Sequence, residues 1–141
     1  MTKHPIPAVI AVVVRDDKVL LAQRRNEPDA GLWGFPGGKI NFGEAVEDAT
    51  LRELREETGI AASIGETLTT VDVFHDQLQQ HFVLVAICCH WTSGDPIPGD
   101  DAMDARWFEV QTVLAGTLNQ SARVAQVLAL AQVRAAQNGN S

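Results

Sequence analysis

The segment Gly37–Ile60, GGKINFGEAVEDATLRELREETGI, decides how this chain is read, because it contains one helix whose two sides differ in chemistry. From Ala45 to Thr58 no glycine or proline interrupts the run, and Gly59 follows as a residue suited to ending a helix in the left-handed conformation. At about 100° per residue, offsets of three and four return to one face, so Glu53, Glu56 and Glu57 share a stripe. Leu51 and Leu54 point away from that stripe and suit a core. Three carboxylates so placed repel one another, by a few tenths of a kcal/mol for each exposed pair. A hard divalent cation such as Mg²⁺, which prefers oxygen ligands and is shared between carboxylates and substrate phosphates, removes that penalty. A solvated face trimmed by Arg52 and Arg55 accounts for the same spacing, so the helix alone does not separate a site from a surface.

Outward from this helix the chain alternates strands and loops. Pro7–Val14 and Val19–Arg24 read as a hairpin turning at RDDK, and the run from Asn26 to Gly38, dense in glycine and proline, reads as a loop. After the helix, Thr67–His75 and Gln80–Trp91 read as strands joined through DQLQ, TSGDPIPGDD as a loop, and Ala105–Val110 as a short strand. From Ser121 to Gln137, Val124, Val127, Leu128 and Ala131 recur at helical spacing, which predicts a terminal helix laid on a sheet. The expectation is an α/β fold, one mixed sheet with helices against it, spanning 1–137 as a single domain, with 138–141 as a flexible tail.

Composition agrees with one globular domain and narrows its partners. The 141 residues are 45% hydrophobic and 21% charged, with a formal net charge of -7. Such an acidic chain has no general attraction for polymeric nucleic acid or an anionic membrane, so a phosphorylated ligand has to be met locally or through a metal. Cys88 and Cys89, the only cysteines, sit together in an apolar run and read as buried, reduced thiols. The apolar stretch near the start is too short to span a bilayer, and a cytoplasmic location is the expectation.

The wider pattern around the acidic helix resembles a known signature. Gly38, five residues, Glu44, seven residues, then Arg52-Glu53-Leu54-Arg55-Glu56-Glu57-Thr58-Gly59-Ile60 matches every specified position of the Nudix box. The resemblance implies an α/β/α sandwich with a loop-helix-loop box that binds Mg²⁺ or Mn²⁺ and hydrolyses a nucleoside diphosphate linked to another group. It implies Glu53, Glu56 and Glu57 as metal carboxylates, a backbone carbonyl of Gly37 or Gly38 as a further ligand, and Arg52 orienting Glu53. Glu44 either fixes the box loop or assists the metal, the first being preferred; Glu53 or Glu57 is the candidate base, with Asp100, Asp101 and Asp104 as loop acids available for that role or for a metal bond. Many relatives carry an acid where this chain has Asn41, a position the box leaves free.

Outside the box, GDDAMDARWF (Gly99–Phe108) and HFVLVAI (His81–Ile87) resemble segments of small ADP-ribose pyrophosphatases of that family. This implies ADP-ribose as substrate, with nucleoside triphosphate clean-up of the 8-oxo-dGTP type and a non-catalytic nucleotide sensor as the rivals; a homodimer is a further expectation from the resemblance. Tyrosine is absent, so a base must be stacked on Trp or Phe, and Trp33 and Phe35 are the candidates, against simple packing of their loop. Arg24 and Arg25 are candidates for a phosphate or ribose phosphate, against ordinary surface cations. His81 is a candidate pocket residue, against a satisfied structural histidine, and Trp107 reads as core.

Overall fold

The computed structural model describes residues 3–99 and 101–138. Its sheet is organised around β1 (Ile6–Arg15), an apolar strand with residues packed on both faces. One edge of β1 pairs in parallel with β6 (Gln80–Ser93), and β6 pairs antiparallel with β5 (Ala61–His75). The other edge is shared: β4 (Gly37–Lys39) takes Ala8 to Ile10, while β2 (Lys18–Arg24) takes Val14 and Arg15 across the Asp16–Asp17 turn. β2 then leaves β1 and pairs along its length with β7 (Ala102–Glu109) and briefly with β3 (Trp33–Gly34). The sheet is therefore mixed and splays apart beside the first half of β1.

Strand alternation assigns the two faces. Ala11 and Val13 of β1, with Ile87 and Cys89 of β6, pack with Leu54 of α1 (Val46–Thr58) and Ile60. Val12 and Ala86 point the other way and meet Val127 and Ala131 of α3 (Val124–Asn138). Helices thus cover both faces, giving the α/β/α sandwich with a mixed sheet. Cys88 and Cys89 are free thiols, and burial pushes Cys89 up to about 12, so it sits in the core as an apolar group.

Several boundaries differ from the sequence reading, among them the start of α3 at Val124 instead of Ser121. The Asn26–Gly38 loop contains β3 and β4, two strands too short to show a period. β5 begins at Ala61, six residues early, because register shifts between Ile64 and Thr69 break its alternation, and Gly65 lies against the Cys88 carbonyl where a side chain has no room. β7 begins at Ala102, and Val110 belongs to a helix the sequence reading lacks, α2 (Val110–Ala115), which buries Val110 and Val113 and stops at Gly116. Asn138, which the sequence reading gives to a tail, closes α3 and donates from Nδ2 to Glu66 Oε1 at 3.1 Å; residues 139–141 lie outside the described residues.

Candidate active site

The box loop is locked to α1 before any ligand is considered. Glu44 Oε1 accepts the Asn41 N–H at 3.0 Å, and the Glu44 N–H donates to the Asn41 carbonyl at 3.0 Å, which closes the turn ahead of the helix. Arg52 grips the same carboxylate with both arms of its fork, Nε to Oε2 at 2.7 Å and Nη2 to Oε1 at 2.9 Å. The hydrogen bonds from Arg52 and Asn41 hold the Glu44 carboxyl down at about 2, and Arg52 is raised in turn. Arg52 also donates from Nη2 to the Lys39 carbonyl at 3.1 Å, and from Nη1 to Glu53 Oε2 at 3.0 Å and Glu56 Oε1 at 2.9 Å. One guanidinium therefore joins the loop, the helix start and two of the three stripe glutamates.

Where the sheet splays, a cavity of about 770 Å³ opens beside β4. At one end stand Gly37, Gly38, Glu53, Glu57, Arg24 and Asp101. Glu57 is deeply set, and its Oε2 accepts the Gly37 N–H at 3.0 Å. Burial pushes its carboxyl up to about 8; Glu53 and Asp101 act in the same direction, while the Gly37 hydrogen bond and Arg24 oppose them. Burial also raises Glu53, against the pull of Arg52. Glu53 lies so close to Gly38 that a Cβ there collides with its carboxylate, so the backbone and the acid form one cradle.

Glu56 departs from its partners. Its side chain is 56% exposed, engages Arg52, and does not line the cavity. Among the described residues no three acid, histidine or cysteine side chains stand close enough to hold a metal between them as placed. The donors nevertheless suit a hard divalent cation: two partly desolvated carboxylates and nearby backbone oxygens, with a third carboxylate on the same helix stripe. Of the loop acids, Asp101 lines the cavity, and Asp104 is occupied by the Ala105 N–H and by Arg106 at 2.7 Å; Asp100 lies outside the described residues.

The far end is an apolar chamber. Phe35, Val71, Val73, Phe82, Leu84 and Val127 line it, brought together by β5, β6 and α3, with His75, Gln80 and Arg123 as its polar fringe. Phe35 is thus placed where a base could lie. Arg24 also lines the cavity, steadied by Nε donating to the Pro28 carbonyl at 2.6 Å. Trp107 is half-buried against the α1-side core.

Three candidate substrate residues lie elsewhere. Trp33 is 8% exposed and packs edge-to-face on Phe108 at 4.7 Å, so it is core and offers no ring to the cavity. Arg25 donates from Nη2 to the Ala102 carbonyl at 3.2 Å and does not line the cavity. His81 bonds Asp72 at 2.9 Å and stacks on Phe74 at 4.5 Å. It sits on the opposite face because β5 and β6 pair Phe74 with His81 and Val73 with Phe82; one residue along a strand reverses the face. Phe82, Lys39 and Arg123, which the sequence reading does not single out, line the cavity, and so does His75, the other histidine of the hairpin. The register of the DQLQ hairpin was the signal that selects Phe82 over His81.

The NUDIX domain model matches residues 4–128. An ADP-ribose pyrophosphatase of Methanocaldococcus jannaschii is 32% identical over 110 residues, 78% of this chain and 65% of that protein, so the match spans about two thirds of its length. A CTP pyrophosphohydrolase of Escherichia coli is 40% identical over 101 residues, 60% of this chain and 75% of that one. Among solved structures, the NUDIX domain of Shewanella oneidensis NrtR complexed with ADP ribose superposes with a TM-score of 0.79 at 30% identity, covering 94% of this chain and 90% of that one. Among the described residues no helix is long and apolar enough to cross a membrane. With the box, the sandwich and a domain match over most of its length, the chain belongs to the NUDIX family of MutT-like hydrolases.

Proposed function

We propose that this chain is a divalent-metal-dependent diphosphatase acting on a nucleoside diphosphate linked to a second group, with ADP-ribose split into AMP and ribose 5-phosphate. The observation that carries this reading is the single cavity that joins the desolvated carboxylates of Glu53 and Glu57 to a chamber faced by Phe35 and Phe82. A diphosphate suits the first end and a nucleobase the second. Glu53, Glu56, Glu57 and a carbonyl of Gly37 or Gly38 are the groups that would hold Mg²⁺ or Mn²⁺. When bound, the cation neutralises diphosphate oxygens and lowers the pKa of a water.

The chain's own groups then divide the remaining work. Glu57, whose Oε2 already accepts the Gly37 N–H beside the cavity, is the group assigned to take a proton from the attacking water, with Glu53 as the alternative base. The water oxygen bonds to phosphorus, the bridging P–O bond breaks, and the leaving phosphate carries off the electron pair. Arg52 orients Glu53 and, with Glu44, keeps the box loop still. Arg24 and Lys39 face the phosphates, and the apolar chamber excludes water from the base.

The relative named ADP-ribose pyrophosphatase and the NrtR domain holding ADP ribose support the finer substrate. The relative named CTP pyrophosphohydrolase favours a second reading, a nucleoside triphosphate pyrophosphohydrolase, with 8-oxo-dGTP clean-up as one form of it. Either substrate is a free nucleotide, in keeping with a cytoplasmic protein that needs no nucleic-acid polymer or membrane partner; a homodimer belongs to the same reading. Product analysis with Mg²⁺ over ADP-ribose, NADH, diadenosine polyphosphates, sugar nucleotides and the dNTPs with 8-oxo-dGTP is the test. AMP from ADP-ribose in preference to the others is the expected result; pyrophosphate from a triphosphate moves the chain to the second reading. Tight nucleotide binding without any product leaves the non-catalytic sensor.

A further inference from the structure

We propose that Gln80 is a specificity-determining residue, whose side-chain carbonyl accepts a hydrogen bond from the exocyclic amine of a nucleobase held in the chamber. The inference deepens the reading of the chamber as a base site and rests on it. Strand alternation puts Leu84, Phe82 and Gln80 of β6 on one face, and the register sets Val71, Val73 and His75 of β5 opposite them. All six line the cavity. The wall is therefore apolar for two rungs and turns polar at the third. Successive rungs are about 7 Å apart, two residues of strand rise, so a base lying on Phe82 has its edge within reach of the polar rung.

The amide on that rung is unsatisfied. Among the described residues Gln80 Oε1 and Gln120 Oε1 are the buried side-chain polar atoms with no hydrogen-bond partner. Gln120 does not line the cavity, and its Nε2 is engaged with the Val113 carbonyl at 3.2 Å. Gln80 does line it, and an acceptor shut from water without a donor is a cost to the folded chain that a ligand can relieve. The last torsion of a glutamine is broad and roughly two-fold, so the carbonyl can swing to the cavity without giving up a bond of its own. Adenine and cytosine each carry an exocyclic amine beside a ring nitrogen that accepts, the complement of a primary amide. The other groups on this fringe suit the amine less well. Arg123 only donates, and His75, which packs edge-on to Phe82 at 6.0 Å, accepts on one nitrogen and only when neutral.

Nucleoside monophosphates test this without depending on turnover, since they hold no diphosphate to cleave. Affinity is measured by calorimetry on the full chain with Mg²⁺ present. The ligands are AMP and its analogue with hydrogen in place of the 6-amino group, and CMP and its 4-deamino analogue. The parent binds the amine-bearing member of at least one pair about tenfold more tightly, the scale of one hydrogen bond. Gln80→Met, similar in length and without an amide, brings that ratio to about one, and it unfolds in urea at or above the parent's midpoint because the orphaned acceptor is gone. Gln80→Glu keeps an acceptor in place and keeps the preference. If Gln80→Met does not fold, Gln80→Val, suited to a strand, repeats the comparison. A parent that binds the members of each pair equally, or binds none of the four, overturns the inference. So does a preference that survives Gln80→Met, that Gln80→Glu loses, or that only His75→Ala abolishes. A parent that prefers the amine but cleaves neither ADP-ribose nor a nucleoside triphosphate defeats the diphosphatase reading and leaves the role of Gln80 standing.

Discussion

The two ends of the cavity were made by different kinds of folding information. The acid end is local: Glu44, Arg52, Glu53 and Glu57 lie within one loop and one helix, and their mutual placement follows from helix periodicity and one bidentate ion pair. The chamber is non-local: Phe35, Phe82 and Val127 come from a loop, a strand and the last helix, and meet only when the sheet has its register. Chemistry that tolerates no displacement is built on the first kind of information, and recognition on the second. Changes at the acid end should therefore act on kcat and changes in the chamber on KM, with a residue one strand position off the chamber acting on neither.

The largest effect is expected at Glu57. Glu57→Gln keeps the shape and the bond to the Gly37 N–H but removes the charge, so turnover falls by roughly a thousandfold, the scale of losing a general base. Its circular dichroism should match the parent, and kcat measured with Mg²⁺ in excess checks the outcome. Activity within tenfold of the parent breaks the assignment of that carboxylate.

The same carboxylate makes metal-free stability depend on pH with a definite sign. Its folded pKa, about 8, lies above its ordinary value of 4.5, so between these values the folded chain holds more protons than the unfolded one. The stabilisation is complete below about 4.5 and is lost as pH rises toward 8. Urea unfolding of the metal-free protein should show a decline on the order of a few kcal/mol from pH 5 to pH 8. Glu57→Gln flattens it, and Mn²⁺ offsets it because the cation replaces the proton. A metal-free stability that rises over this window shows that Glu57 is ionised in the folded chain.

How much was legible in the sequence follows the same division. The box residues, the C-cap at Gly59 and the two-sided helix could be read directly, because spacing within one helix fixes direction. The sandwich could also be read, since β1, β6 and α3 carry strong apolar patterns. Trp33 could not: a large aromatic in a Gly- and Pro-rich loop looks available to a ligand, and only the pairing of β3 with β2 turns it onto Phe108. Glu56 shows a finer limit, since its stripe position is as expected while Arg52 holds it on the solvent side. α2 was hidden because Ala105 to Val110 alternates like a strand, and the switch to helix at Val110 is set by packing of Val110 and Val113.

The two aromatics sharpen the contrast. Phe82→Ala should raise KM by about ten- to a hundredfold, the scale of one lost base stack, with kcat changed less than about threefold. Trp33→Ala should destabilise by about 3 kcal/mol, as expected for a large core aromatic, and leave KM unaltered in the folded fraction. Denaturant titration beside steady-state kinetics distinguishes them. The reverse pattern, KM following Trp33 and stability alone following Phe82, means that the chamber has been assigned to the wrong face.

The smallest effect is the most direct check on register. His81 is next to Phe82 in sequence, reads as either a pocket residue or a satisfied structural histidine, and stands in a segment similar to those of ADP-ribose pyrophosphatases. In the structure it faces away from the cavity, spanning to Asp72 across the β5–β6 pair and stacking on Phe74. An exposed pair of this kind contributes at most about 1 kcal/mol. His81→Ala should therefore leave kcat and KM as they are and lower the unfolding midpoint only slightly, and Asp72→Ala should do the same. Their combination should lose no more than either alone, since each removes the same contact. A rise in KM from His81→Ala that Phe74→Ala, which removes the cavity-lining ring His81 stacks on, does not share requires the hairpin to be shifted by one residue, which also carries Phe82 out of the chamber. One histidine therefore tests the placement of the whole apolar wall.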